Sequence, residues 1–240
     1  MSTLFISDLH LEPSRPQLTQ VFLRFLAGPA RQAEVLYIMG DLFDLWIGDD
    51  ANMALYPDEI SGLRALTDQG VPLYLMHGNR DFLLGNAFLH ATGGTLLEDP
   101  TVIDLNGMPT VLSHGDMLCT DDAAHMKGRK EWLDPVRQAA FLAQPPAVRE
   151  KIARQLRTES SYNKTLKTAE IMDVTQQAVE ELLRKTHVRQ LIHGHTHRPA
   201  IHDLQLDGQA ARRIVLSDWH DDRGSMLVCD DSGCRLQELR

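Results

Sequence analysis

Short apolar runs recur along the chain, and each is closed by a glycine or a polar side chain. Leu4-Phe5-Ile6, Val35-Leu36-Tyr37-Ile38, Pro72-Leu73-Tyr74-Leu75-Met76, Thr110-Val111-Leu112 and Gln190-Leu191-Ile192 have the length and bounding residues of buried strands. Between the first three lie segments of a different period. Leu18 to Leu26 carries apolar residues at 18, 21, 22, 25 and 26, a helical stripe that covers one sheet face. Pro57 to Gln69 starts on proline and stops before Gly70, the expected asymmetry of a helix. Strand, helix, strand, helix, strand is the opening of an α/β fold.

Leu83 to Ala91 reads as a further short helix. Thr101 to Leu105 and Thr110 to Ser113 read as two strands joined across an Asn106-Gly107 turn. From Asp122 to Lys185 no strand pattern occurs. Ala147 to Leu156 repeats apolar residues at 148, 152, 153 and 156, and Thr175 to Leu183 does so at 178, 179, 182 and 183, so helices are inserted before the sheet resumes. The remaining segments, Pro199 to Leu206, Arg212 to Leu216, Ser225 to Cys229 and Arg235 to Leu239, are short strands with Asp207-Gly208 and Ser232-Gly233 turns, expected to complete a second sheet. The pattern predicts one α/β domain over 1–240 with an inserted helical cap over about 122–170.

What closes the apolar runs changes the picture from architecture to chemistry. They end in Asp8-Leu9-His10, Gly40-Asp41, Gly78-Asn79-Arg80-Asp81, His114-Gly115-Asp116 and Gly194-His195-Thr196-His197. Open α/β sheets place ligands beyond the carboxyl ends of their strands, so these residues are expected at one edge. Asp8, His10, Asp41, Asn79, His114, His195 and His197 offer only oxygen and imidazole donors, which suit manganese, iron or zinc. Seven donors exceed what one ion with an open position needs. Two ions bridged by Asp41 use them all, with Asp8, His10 and His197 on one side and Asn79, His114 and His195 on the other. Such a site keeps a net charge of about +2 and lowers the pKa of bound water from about 15.7 toward 7, which attracts phosphate and supplies hydroxide. Asp44, Asp81 and Asp116 are placed to orient ligating imidazoles. His77, His90, His193 and His202 fall outside the motif positions and read as packing or surface residues.

Charge and composition narrow the partners. The 240 residues carry a net charge of -9, which argues against nucleic acid, and 43% hydrophobic content is enough for a sizeable core. The charge is uneven: residues 127–167 hold ten Lys and Arg against four acids. That basic segment coincides with the inserted helices and marks them as a unit with a partner of their own. Three cysteines, Cys119, Cys229 and Cys234, have no paired ligand spacing and are expected to be reduced thiols. With no signal-peptide pattern and no apolar run long enough to cross a membrane, a cytosolic protein is expected.

Asp-x-His, Gly-Asp-x-x-Asp, Gly-Asn-x-Asp, His and Gly-His-x-His, in this order over residues 4 to 197, resemble the calcineurin-like metallophosphoesterase superfamily. The resemblance implies a sandwich of two mixed β-sheets flanked by helices. Most members carry histidine after the Gly-Asn pair, as the acid for the leaving group, and here Arg80 stands in that place. Together with Trp46-Ile47-Gly48-Asp49-Asp50, Leu118-Cys119-Thr120-Asp121-Asp122 and Ile171-Met172-Asp173-Val174, this departure is similar to the branch of the superfamily that acts in lipid A biosynthesis. For that branch the resemblance implies manganese-dependent cleavage of the pyrophosphate of UDP-2,3-diacylglucosamine. The cleavage would follow attack on the α-phosphorus, by a monomer held peripherally at the cytoplasmic face of the inner membrane. Catalytic roles then carry over to Asp41, Arg80 and His195, and substrate contacts to Asn79, Arg80, Asp122, Ser160, Lys164, Lys167 and His195.

Arg80 is chemically consistent with a phosphoanhydride. A sugar phosphate is a good leaving group that needs charge stabilisation more than a proton, and a guanidinium is permanently charged and grips two oxygens. The mixture of Trp132, Leu133, Val136, Phe141 and Leu142 with basic neighbours suits acyl chains and an anionic membrane surface. A phosphodiesterase or dinucleoside polyphosphate hydrolase would use the same metal donors without an acyl chamber. A non-catalytic scaffold would be expected to have lost donors, and none of the seven is missing.

Overall fold

In the computed structural model, which describes residues 2–165 and 171–239, the alternation of side chains along the first strand sets the plan of layers. β1 (Ser2–Ile6) sends Leu4 and Ile6 into one core and Phe5 into another, as period-two geometry requires. α1 (Pro16–Ala27) follows, then β2 (Ala33–Met39), α2 (Asp49–Asn52), α3 (Pro57–Asp68), β3 (Leu73–Met76), α4 (Asn86–Thr92) and β4 (Thr95–Leu97). The hairpin of β5 (Thr101–Leu105) and β6 (Met108–Ser113) turns at Asn106 and Gly107, both with positive φ. α5 (Ala123–Trp132), α6 (Pro135–Leu142), α7 (Pro146–Thr165) and α8 (Gln176–Thr186) then precede β7 (Gln190–His193). The chain ends with β8 (Ala200–Leu206), β9 (Gln209–Val215), β10 (Gly224–Asp230) and β11 (Gly233–Leu239).

One sheet has the order β11-β10-β1-β2-β3-β4 and the other β5-β6-β7-β9-β8. Both are mixed: β1 to β4 run parallel, as do β6, β7 and β9, with antiparallel strands at the edges. Between the sheets lies a core of Phe5, Met39, Met76, Leu112, Ile192, Ile214 and Leu227. Phe22, Phe25 and Leu63 of α1 and α3 cover the outer face of the first sheet, and Val179, Leu182 and Leu183 of α8 cover that of the second. The layers are therefore helix, sheet, sheet, helix.

Three sequence expectations are corrected here. The C-terminal strands do not all join the second sheet, because β10 pairs antiparallel with β1 and carries β11 to the edge of the first. β10 is buried on both faces, because Leu227 and Cys229 join the core between the sheets and Met226 and Val228 the core beneath the helices of the first sheet. α4 begins at Asn86 rather than Leu83, since the Asp49 carboxylate accepts the N–H groups of Gly85 and Phe88 and fixes the start of the helix from outside. Cys229 and Cys234 are not reduced thiols: they are register partners across the β10–β11 hairpin, their Cα atoms 4.1 Å apart, and they form a disulfide. Cys119 is free and buried.

Candidate metal centre and substrate cleft

The carboxyl ends of β1, β2 and β3 in one sheet and of β6 and β7 in the other converge on the same edge, and each delivers its donors there. Asp8, His10, Asp41, His195 and His197 all have φ between 50° and 67°, a left-handed backbone that L residues adopt at a cost of about 1 kcal/mol each. Sequence pattern gives no sign of this strain. It persists because the surrounding loops over-determine it. Asp8 N–H donates to Gly40 O at 3.1 Å, His10 N–H to Asp41 O at 3.0 Å and His195 N–H to the Asp8 carboxylate at 2.8 Å. Gly40 has φ 91°, and a Cβ there would lie 2.6 Å from His114 Nδ1, so only glycine lets the loops close this tightly.

The donors meet at spacings that suit shared cations. His10 Nε2 lies 3.3 Å from His197 Nε2, His197 Nε2 lies 3.3 Å from Asp8 Oδ1, and His10 Nε2 lies 3.9 Å from Asp41 Oδ2. The other Asp41 oxygen, Oδ1, faces His114 Nε2 at 3.7 Å, and that nitrogen is 3.2 Å from Asn79 Oδ1. Atoms bound at about 2 Å to one ion sit about 3 Å apart, so a modest contraction would close each group on an ion. Among the described residues two donor groups stand out: Asp8, His10 and His197, and Asp8, Asp41 and His114. Asp41 turns one oxygen toward each set of imidazoles. His195 packs between the rings of His114 and His125, at 5.1 and 5.3 Å.

Electrostatics point the same way. Burial pushes the Asp41 carboxyl up to about 7 in spite of His114, and the neighbouring carboxylates of Asp81 and Asp8 add to the rise. Burial would lower His114, yet Asp41, Asp8 and Asp116 raise it to about 9. Burial likewise opposes a charge on His197, but Asp218 and Asp8 raise it to about 10. Burial holds His10 down at about 3 and His195 well below its ordinary range. Without a cation, Asp41, His114 and His197 tend to hold protons while Asp8, His10 and His195 do not. Divalent ions fit the donor set better, because they neutralise the carboxylates and leave the imidazoles unprotonated.

The residues expected to orient the ligands take other partners. Asp81 accepts from the backbone N–H groups of Gly78, Asp41 and Phe43, so it braces the loops rather than an imidazole. Asp44 lies 3.9 Å from His10 Nδ1, but its carboxylate is taken by Arg157 of α7. Asp116 pairs with Arg129 and lies 3.6 Å from His125 Nε2, both on α5. The imidazole contacts are made elsewhere: His114 Nδ1 donates to Met39 O at 2.9 Å, and His197 Nδ1 lies 3.2 Å from Asp218 Oδ2. Asp218 follows the apolar run Ile214-Val215-Leu216 as Asp8 follows Leu4-Phe5-Ile6, so the signal was present in the sequence and was passed over. Asp218→Asn is expected to weaken metal affinity by about 10- to 100-fold, since it removes the charge that holds the His197 tautomer. Calorimetric titration with manganese checks this.

The donors floor one end of a cleft of about 930 Å³. Arg80 and Asp122 line it, and no described residue ion-pairs with or hydrogen-bonds to the Arg80 guanidinium, although the backbone N–H of Arg80 donates to Asp41 Oδ1 at 2.8 Å. Asp122 also caps α5 by accepting the N–H of His125. Ser160 and Lys164 fall on the backbone of α7, and Lys167 lies outside the described residues. The far end is apolar, with Phe82 and Phe141 set against Trp132 at ring distances of 6.0 and 5.4 Å. Trp132 and Phe141 therefore face the cleft, while Val136 on α6 is 78% exposed and Leu142 is also exposed. Of the arginines counted in the basic segment, Arg129 and Arg157 turn onto the buried acids Asp116 and Asp44, and Arg149 is itself buried but pairs with the exposed Asp50.

Two mixed sheets between helices, with an oxygen and imidazole cluster at their common edge, define a metal-dependent phosphoesterase class. Residues 1–199 match the model of the calcineurin-like phosphoesterase family, and the chain belongs to that family. It is 51% identical to the UDP-2,3-diacylglucosamine hydrolase of Aeromonas hydrophila, over 99% of this chain and 98% of that one. It is 53% identical to the enzyme of the same name from Pseudomonas paraeruginosa, over 98% of each. Among solved structures, a dimetal phosphatase from Danio rerio aligns over 100% of this chain and 98% of its own, with a TM-score of 0.51 at 10% identity, a likeness of fold alone.

Proposed function

We propose that this chain hydrolyses the pyrophosphate of UDP-2,3-diacylglucosamine to UMP and 2,3-diacylglucosamine 1-phosphate, a step of lipid A biosynthesis. One juxtaposition carries the reading. A cluster of metal-type donors forms one end of a cleft whose other end is apolar, in a chain about half identical over its whole length to hydrolases of that name. In this reading Asp8, His10, Asp41, Asn79, His114, His195 and His197 hold two divalent ions, with manganese as the proposed metal. Such ions supply water activated near neutral pH and neutralise phosphate oxygens.

The chain's own groups do the rest. Arg80 has a guanidinium unclaimed by the described residues and takes the charge that develops on the departing sugar phosphate. Asn79 and His195 border the same phosphate, and Asp122, Ser160, Lys164 and Lys167 contact the rest of the head group. Trp132, Phe82 and Phe141 receive acyl chain. Among the described residues no helix is long and apolar enough to cross a membrane. Exposed Leu133, Val136, Leu142 and Val148 support a peripheral seat on a membrane, proposed to be the cytoplasmic face of the inner membrane, with the chain proposed to act as a monomer.

Chelation is expected to abolish turnover, and manganese to restore it. The diacyl substrate should be cleaved far faster than UDP-glucosamine, a dinucleoside tetraphosphate or a nitrophenyl phosphodiester under the same conditions. Equal rates on the substrates without acyl chains would remove the role of the apolar end.

A further inference from the structure

The segment Trp46-Ile47-Gly48-Asp49-Asp50 contains none of the seven donors, yet its residues are tied both to the start of α4 and to α7. Trp46 Nε1–H donates to Asp49 Oδ1 at 3.0 Å, and the Asp49 carboxylate accepts Gly85 N–H at 2.9 Å and Phe88 N–H at 3.1 Å. The turn is thus bound to the loop that follows Asn79 and Arg80. At its centre Gly48 has φ 128°, and the place where a Cβ would stand is taken by Nη1 of Arg149. Arg149 belongs to α7, and only 1% of its surface is exposed. Its Nη1 donates to Ile47 O at 2.6 Å and to Asp50 Oδ1 at 2.9 Å, and its Nη2 pairs with Asp50 Oδ2.

A buried guanidinium is a poor way to gain stability. Its desolvation costs several kcal/mol, and an apolar side chain of similar volume would cover the same surface at less cost. What a planar fork offers is direction: it docks in one orientation against a carbonyl and a carboxylate. The place it fixes is consequential, because Ile47 of the turn, Phe141 of α6, and Ala153 and Leu156 of α7 all line the cleft. Leu142 of α6 also closes on Gly48.

We propose that the Trp46–Asp50 turn is a socket for Arg149, and that this clasp sets the position of α6 and α7 over the apolar end of the cleft and so the acyl chains that fit there. The assignment to acyl chains rests on the functional reading above; the socket itself rests on the contacts. Arg149 is a positioning residue, acting through the helices that carry Phe141, Ala153 and Leu156.

The test compares Arg149→Met, Arg149→Lys and, from the opposite side of the clasp, Gly48→Ala and the milder Asp50→Asn, all in the full chain with manganese. KM for the long-chain diacyl substrate is expected to rise about tenfold in Arg149→Met and Gly48→Ala, the order of effect of losing a methylene's contact in an apolar pocket, with kcat little changed. KM for a short-chain diacyl analogue should move far less. Lysine should not rescue, because a point charge cannot serve both acceptors. Hydrogen exchange at 146–158 should quicken in every variant, including those changed only in the turn, while exchange at 33–41 stays as in the parent. Parallel losses of kcat on both substrates, or unchanged exchange at 146–158, would overturn the socket. If the parent chain leaves the diacyl substrate intact, the functional reading falls, and the exchange experiment alone decides whether the clasp holds the helices.

Discussion

Asp41→Ala is expected to lose all measurable turnover while the chain remains folded. Asp41 is the carboxylate that turns one oxygen toward His10 and the other toward His114, at 3.9 and 3.7 Å. No neighbouring side chain can replace it. Folding should tolerate the change. In the metal-free chain this carboxyl is buried beside Asp8 and Asp81 and pushed up to about 7, so its removal relieves that repulsion, which offsets the counter-charge lost by His114, and opens no cavity in apolar packing. The Arg80 N–H, which donates to this carboxylate, is left to water in the cleft. Elemental analysis should find less bound metal in the variant. Thermal melting without metal should stay close to that of the parent, and the parent should gain more stability than the variant when manganese is added, since a ligand stabilises only the state that binds it. Parental turnover in Asp41→Ala would remove the two-ion account of the site.

The second large effect concerns Arg80. Its backbone is held by two hydrogen bonds, from its own N–H to Asp41 and from Trp46 N–H to its carbonyl, so the side chain leaves a fixed point at the rim of the donor cluster. Arg80→Ala is expected to raise the barrier by about 2 to 4 kcal/mol, the range for losing one preorganised charge stabiliser. Arg80→His should recover little of this, because a sugar phosphate departs without needing a proton. Hydrolysis in oxygen-18 water should place the label in UMP and none in the lipid phosphate. Label in the lipid product, or full rescue by histidine, would reassign Arg80 while leaving the donor cluster intact.

How far these features were legible in the sequence depended on whether they were local. The five apolar runs and the donors that close them were readable because a buried strand and the residue after it are neighbours in the chain. The destination of β10 was less obvious, although Met226 to Cys229 is apolar at every position, the pattern of a strand covered on both faces. Pairing of Cys229 with Cys234 depended on hairpin register. Asp218 closes an apolar run just as Asp8 does and was legible, although its partner His197 lies 21 residues upstream, whereas Arg149 could not be found locally, since it meets a turn 99 residues away. Counting charge over 127–167 showed an excess of cations but not their direction, and three of the arginines point into the protein.

The donor cluster straddles two sheets: Asp8, His10, Asp41 and Asn79 come from the first, and His114, His195 and His197 from the second. The apolar layer that separates those sheets is therefore a calliper. Its thickness, set by Phe5, Met39, Leu112, Ile192 and Leu227, fixes the gap across which imidazoles of one half reach carboxylates of the other. Small and large divalent ions differ in bond length by a few tenths of an ångström, about the scale on which a core relaxes when one methylene is removed. Trimming Ile192 to valine changes no donor. It is nonetheless expected to shift the ratio of activities with manganese and with the smaller magnesium, so that metal preference is written partly in hydrocarbon.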